Sequence, residues 1–148
     1  MKKTLRAGLA AVLALAGAGW AEPPSGAAVN GIGGFFFRAE DPAALAEWYL
    51  SNLGIDLAPR SYDAKPWVQT EGPTIFDPFP MGSKMFSEDK VFMVNFRTDD
   101  LDGLVAHLRA NDVAVQVDGN TYPNGRFAQL DDPEGNPIQL WQPAAKAP

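Results

Sequence analysis

The chain has 148 residues, a formal net charge of −6 and no cysteine. An acidic chain with no Lys/Arg-rich patch is a poor partner for nucleic acid or anionic lipid. Without cysteine there is no disulfide framework and no lipid-modified cysteine anchor.

Residues 1–21 read as a secretory signal peptide. Lys2, Lys3 and Arg6 form a basic start, residues 7–18 an uncharged Ala/Leu/Val/Gly run, and Gly19-Trp20-Ala21 a small-x-small cleavage site. The run is short and Ala/Gly-rich for a membrane span, which needs about 20 strongly apolar residues. Cleavage after Ala21 implies a periplasmic or secreted protein; the alternative is an uncleaved N-terminal anchor. Residues 22–28 form a linker, 29–143 suit one domain, and 144–148 form a tail.

Within that domain the pattern predicts a strand over 31–38 (GIGGFFFR), its start loosened by glycines. Asp41 is then an N-cap with Pro42 at the first helical position. Ala44, Leu45, Trp48, Tyr49 and Leu53 follow at helical spacing, and Gly54 is a natural stop. A strand begins at 55–58, and further strands are expected at 67–70 and 72–76. Residues 77–86 are an apolar loop broken by Pro and Gly. Phe79, Met81, Met85 and Phe86 in it imply a lid, a subunit contact or a loop tucked onto its own sheet.

A second unit follows. Residues 93–97 read as a strand, Asp100 as a cap, Leu101, Leu104, Val105 and Leu108 as an apolar helix stripe, and 113–117 as a strand. Phe37 and Phe96 are 59 residues apart, and the same offset carries Arg38 onto Arg97, Asp41 onto Asp100, Leu45 onto Leu104 and Asn52 onto Asn111. This is an internal repeat of a strand–cap–helix–strand unit. Arg38 and Arg97, at strand ends, are expected to pair with Asp41 and Asp100.

After the turn-rich residues 119–125, residues 125–143 (GRFAQLDDPEGNPIQLWQP) read as a hairpin. Pro133 fixes its own φ, Gly135 or Asn136 can take φ > 0, and the aspartates can bind nearby amides. Ala128, Leu130, Ile138 and Leu140 share one face; Phe127, Gln129, Gln139 and Trp141 share the other. An aromatic, amide-rich face suits a pocket wall, or else an edge hairpin with exposed Gln and a Trp under a loop.

The segments FFFRAEDPAALAEWYLSNLGI, VNFRTDDLDGLVAHLRANDV and GRFAQLDDPEGNPIQLWQP together resemble the glyoxalase/bleomycin-resistance/dioxygenase family, the vicinal oxygen chelate superfamily. The resemblance implies an α+β fold of paired βαβββ modules, forming a curled mixed sheet, or cup, with helices outside. It also implies a homodimer. Doubly wound parallel folds fit poorly, because hairpin turns outnumber helical crossovers. The cup-facing phase would present Phe36, Trp67, Gln69, Met93, Asn95, Phe127, Gln129, Gln139 and Trp141 to a small, flat, aromatic or mildly polar ligand.

Metal-using relatives place His, Gln or Glu on the first and last strands of each module. Those positions are Gly34, Met93 and Gln139 here, with a fourth near 74–77 that cannot be fixed. Glycine offers no ligand, a thioether matches hard divalent ions poorly, and one amide oxygen does not hold an ion. The expectation is therefore no metal and no cofactor. Glu71, Asp77 and Gln139 are the alternative all-oxygen set, serving a lyase, isomerase or dioxygenase through atypical ligands. The single histidine, His107, falls mid-helix and reads as a surface residue. No Cys, no G-x-S-x-G elbow and no P-loop lysine supports nucleophilic or nucleotide chemistry. Catalysis is left open.

Overall fold

The computed structural model describes residues 23–24, 26–56 and 58–145. The proposed signal peptide and its cleavage site lie outside them. Contacts divide the chain into two units, Met1–Phe36 and Phe37–Pro148. In the described part of the first, a turn closes with the Ala27 amide donating to the Pro24 carbonyl at 2.9 Å. The remainder carries no helix or strand, and Phe36 stands 92% exposed.

Among its described residues the second unit has two helices and four strands: α1 (Pro42–Leu53), β1 (Val94–Arg97), α2 (Leu101–Ala110), β2 (Gln116–Val117), β3 (Gly125–Asp131) and β4 (Pro137–Pro143). Asp41 Oδ1 accepts the Ala43 and Ala44 amides at 3.2 and 3.1 Å, and Gly54 closes α1 in the left-handed region at φ 66°. At α2, Asp100 Oδ1 accepts the Gly103 amide at 2.9 Å, and the Gln142 side chain of β4 accepts the Leu101 amide at 3.0 Å.

The sheet order is β1-β4-β3-β2, with β1 parallel to β4 and the other neighbours antiparallel. In chain order this is β1-α2-β2-β3-β4, one complete βαβββ module, and the fold class is α+β. Leu101, Val105 and Leu108 of α2 pack on Ala128, Leu130, Ile138 and Leu140 of the central hairpin. That core is dry, each of these side chains being at most 6% exposed, and each fully buried Leu or Ile contributes about 1.5–3 kcal/mol.

The hairpin turns as its residues demand. Asp132, 4% exposed, accepts the Glu134 and Asn136 amides on Oδ1, both at 2.9 Å, while Gly135 takes φ 73°. At the far end Gly125 has φ 129°. A Cβ there would overlap the Gln142 carbonyl oxygen and lie 2.9 Å from Trp141 Nε1, so only glycine fits.

The first repeat differs from expectation. Its helix forms, but the described residues of 31–38, 55–58, 67–70 and 72–76 are in no strand, and the strand expected over 113–117 is confined to Gln116–Val117. Gly31, Gly33 and Gly34 weaken the first segment. Pro73 removes a ladder donor from 72–76.

Candidate functional site

One face of the sheet packs on the helices; the other carries polar and aromatic side chains, among them Trp141, 7% exposed, and Arg97, which bonds the 70–71 backbone. Ladder partners directly opposite each other share a face. Register places Asn95 opposite Gln139, Gln139 opposite Gln129, and Gln129 opposite Gln116. The result is a row of four carboxamides crossing all four strands. Asn95 Nδ2 donates to Gln139 Oε1 at 2.7 Å. The side-chain amides of Gln116 and Gln129 make no hydrogen bond among the described residues.

Beside this row runs a second, Arg97 opposite Trp141 and Trp141 opposite Phe127. The Phe127 and Trp141 rings stack with centroids 6.2 Å apart and planes 7° from parallel, and Tyr122 meets Phe127 edge-on at 5.9 Å. Trp141 Nε1 donates to the Asn124 carbonyl at 2.8 Å, which fixes the indole. The Asp118 carboxyl sits below its usual range, because the Asn120 backbone amide and then the Tyr122 hydroxyl donate to it.

Asn95, Phe127, Gln129, Gln139 and Trp141 therefore come together as the alternation predicts. Met93 precedes β1 in the same phase and is half-buried. Trp67, 40% exposed, and Gln69 lie on an irregular segment, and Phe36 belongs to the other unit. Gln116 is the member of the face that sequence reasoning misses, because its place depends on β2–β3 register; Arg97 falls on the face in the phase of Met93 and Asn95.

Arg97 does not pair with Asp100. Its Nη2 donates to the Thr70 carbonyl at 2.7 Å and Nη1 to the Glu71 carbonyl at 3.4 Å. The Asp100 carboxylate is occupied at the N-cap, as Asp41's is. Gly72 makes room, because any Cβ there would overlap the guanidinium. Arg38 forms no ion pair with Asp41 among the described residues.

On the helical side, His107 is exposed, with Nε2 at 3.0 Å from the Ser51 carbonyl oxygen and 3.3 Å from Asn111 Nδ2; it joins the two helices. Tyr49 donates its hydroxyl to Asp132 Oδ2 at 2.9 Å, and burial, followed by that carboxylate, pushes its pKa up. No three His, Cys, Asp or Glu side chains cluster with metal-ligand geometry among the described residues. Nor is any described helix long and apolar enough to cross a membrane.

Residues 34–141 match the model of the glyoxalase-like domain family. The chain belongs to that family, within the vicinal oxygen chelate superfamily. It is similar to solved structures of three proteins. TnmS3, an antibiotic binding protein from Streptomyces sp. CB03234, is 29% identical over 70% of this chain and 88% of its own, with a TM-score of 0.44. A glyoxalase/bleomycin resistance protein from the same strain is 43% identical over 33% of this chain and 42% of its own, with a TM-score of 0.30. A protein described as belonging to the glyoxalase family, from Bacillus anthracis, is 21% identical over 36% of this chain and 43% of its own, with a TM-score of 0.33. The chain thus spans less than half the length of the last two. No curated protein matches it.

Proposed function

We propose that this is an exported, metal-free binding protein, taking a flat, uncharged small molecule onto the amide and aromatic rows of its sheet. The observation that carries the reading is the row Asn95–Gln139–Gln129–Gln116. Each carboxamide offers both donors and an acceptor without charge. A ligand with alternating donors and acceptors along one edge, as in an amide, imide or lactam, satisfies several at once. Phe127, half-buried and backed by the stacked, buried Trp141, supplies the ring surface, worth about 0.5–1.5 kcal/mol per aromatic pair beyond burial. Trp67 and Gln69 belong to the proposed site through the 70–72 segment that Arg97 holds beside the same face.

The metal-free part rests on the donor set. Of the positions where metal-using relatives carry ligands, Gly34 has no side chain, Met93 is a thioether, and the Gln139 oxygen already accepts from Asn95. That set does not fit a hard divalent ion. Export rests on the signal-peptide pattern of residues 1–21, which supports a periplasmic or secreted mature protein. Self-association as a homodimer belongs to the same proposal, supported by Phe79, Met81 and Met85, which are 39, 93 and 44% exposed.

Tryptophan fluorescence titration with planar lactams, imides and polycyclic quinones tests the binding. Saturable quenching by a member of this panel, abolished in Gln139→Leu and Phe127→Ala, is the expected result. No quenching by any of them sinks the proposal. So does stoichiometric metal in protein purified without chelator, if it is lost in Gln139→Ala.

A further inference from the structure

The amide row is not uniform along its length. At the β3–β2 end, Gln129 and Gln116 make no side-chain hydrogen bond among the described residues. Each can turn its oxygen or its nitrogen toward a neighbour. At the β1–β4 end the two carboxamides are committed to each other, because Asn95 Nδ2 donates to Gln139 Oε1 at 2.7 Å.

That bond gives the paired end a polarity. The atoms it leaves without a partner among the described residues are Asn95 Oδ1, an acceptor, and Gln139 Nε2, a donor. Inverting both amides would exchange the two roles and still leave one of each. Register keeps the pair within reach of one small ligand, since Asn95 and Gln139 are ladder partners on adjacent strands. Gln139 is half-buried, and its neighbours Ile138 and Leu140 anchor the strand in the core.

A flat ligand laid across the pair takes water from both atoms. Gln139 Nε2 regains a partner from any carbonyl oxygen. Asn95 Oδ1 regains one only from an N–H or O–H, and an ether oxygen or N-alkyl group set against it leaves it dry and unpaired.

Resting on the reading of this face as a ligand site, we infer that the Asn95–Gln139 pair selects a ring with C=O and N–H side by side, a secondary lactam. The carbonyl falls to Gln139 and the N–H to Asn95. Lactones and N-alkyl lactams of the same shape are discriminated against at this pair, whereas Gln129 and Gln116 adapt to either polarity.

The test is NMR titration of the purified protein with carbostyril, N-methylcarbostyril and coumarin, following the side-chain amide resonances of Asn95 and Gln139. The three ligands share one planar bicyclic frame and differ at one position, which carries N–H, N-methyl or oxygen. Carbostyril should shift both resonances and bind about fivefold tighter than coumarin, the worth of one net hydrogen bond, with N-methylcarbostyril no tighter than coumarin. Asn95→Lys keeps a donor for Gln139 Oε1 but offers no acceptor, so the carbostyril preference should fall to about one in a variant that still binds coumarin. Equal affinities for the three, or a preference unchanged in Asn95→Lys, overturns the selectivity and leaves the ligand site standing. So does an absence of saturable shifts with all three while an imide or quinone binds. If no planar lactam, imide or quinone binds, the site and its selectivity fall together.

Discussion

Asn111 Nδ2 donates to Asn52 Oδ1 at 3.1 Å, and the two asparagines are the same residue of a repeated unit, 59 positions apart. Asn52 lies in the last turn of α1 and Asn111 is the C-cap of α2, so the two helices of the duplication meet at their C-terminal ends. Asn52 also donates to the Trp48 carbonyl at 3.0 Å and is 7% exposed, so its amide is satisfied within the interface.

Asn52→Ala is therefore expected to cost about 1–3 kcal/mol and Asn111→Ala about 1 kcal/mol. Urea denaturation of the two single variants and the double should give a coupling energy of about 0.5–1.5 kcal/mol. Strict additivity would mean that the helices are held by their apolar contacts alone.

The turn at Asp132 is a second junction between the repeats. Tyr49 of α1 donates to Asp132, and Glu134 takes the two amides just ahead of that helix. Tyr49→Phe should lose about 1.5 kcal/mol at neutral pH. The phenol's folded pKa is raised, chiefly by burial and then by Asp132, above the ordinary 10.0. Its contribution is thus complete below pH 10 and falls as pH rises beyond it. The stability gap between wild type and Tyr49→Phe, measured by urea midpoints, should narrow from pH 10 upward. A gap constant to pH 11.5 would contradict this.

The parts of the fold that were legible in the sequence are those written locally. Asp41-Pro42, Gly54, Asp100 and the Asp132–Asn136 turn each act within a few residues of themselves, and each caps or turns as its chemistry dictates. The hairpin's two faces followed from alternation alone. What alternation does not contain is register. Gln116 joins the amide row only because β2 pairs with β3 at Gln129, after an irregular connection whose length sets the phase. Proximity in sequence pairs Arg97 with the nearest carboxylate, Asp100, and says nothing of a carbonyl pair 26 and 27 residues upstream. Of the strands expected in the first repeat, 31–38 is weakened by its glycines and 72–76 by Gly72 and Pro73, while nothing local to 55–58 or 67–70 explains why their described residues stay irregular.

Gly125 offers a sharp test of the aromatic row. Gly125→Ala forces a Cβ into the Gln142 carbonyl at a φ of 129°, and should cost about 2–4 kcal/mol. Its second effect is local: the Trp141 indole, displaced from the Asn124 carbonyl, should shift its fluorescence to the red. Unchanged emission in a folded variant would show that the indole is held by stacking on Phe127 alone.

Arg97 and Gly72 make the last prediction, because they act on one segment from opposite sides. Arg97→Gln removes both donors to the Thr70 and Glu71 carbonyls, while Gly72→Ala leaves the guanidinium intact and takes away its space. Both should free residues 68–74 from the sheet without disturbing the core, since neither residue belongs to it. Hydrogen exchange read by mass spectrometry should show that segment exchanging at least about tenfold faster in either variant, with the β3 and β4 amides unchanged. If Trp67 and Gln69 contribute to the site as proposed, both variants should also lose affinity together, through faster dissociation. A segment equally protected in Arg97→Gln would mean that its position owes nothing to the arginine, and would remove Trp67 and Gln69 from the proposed site.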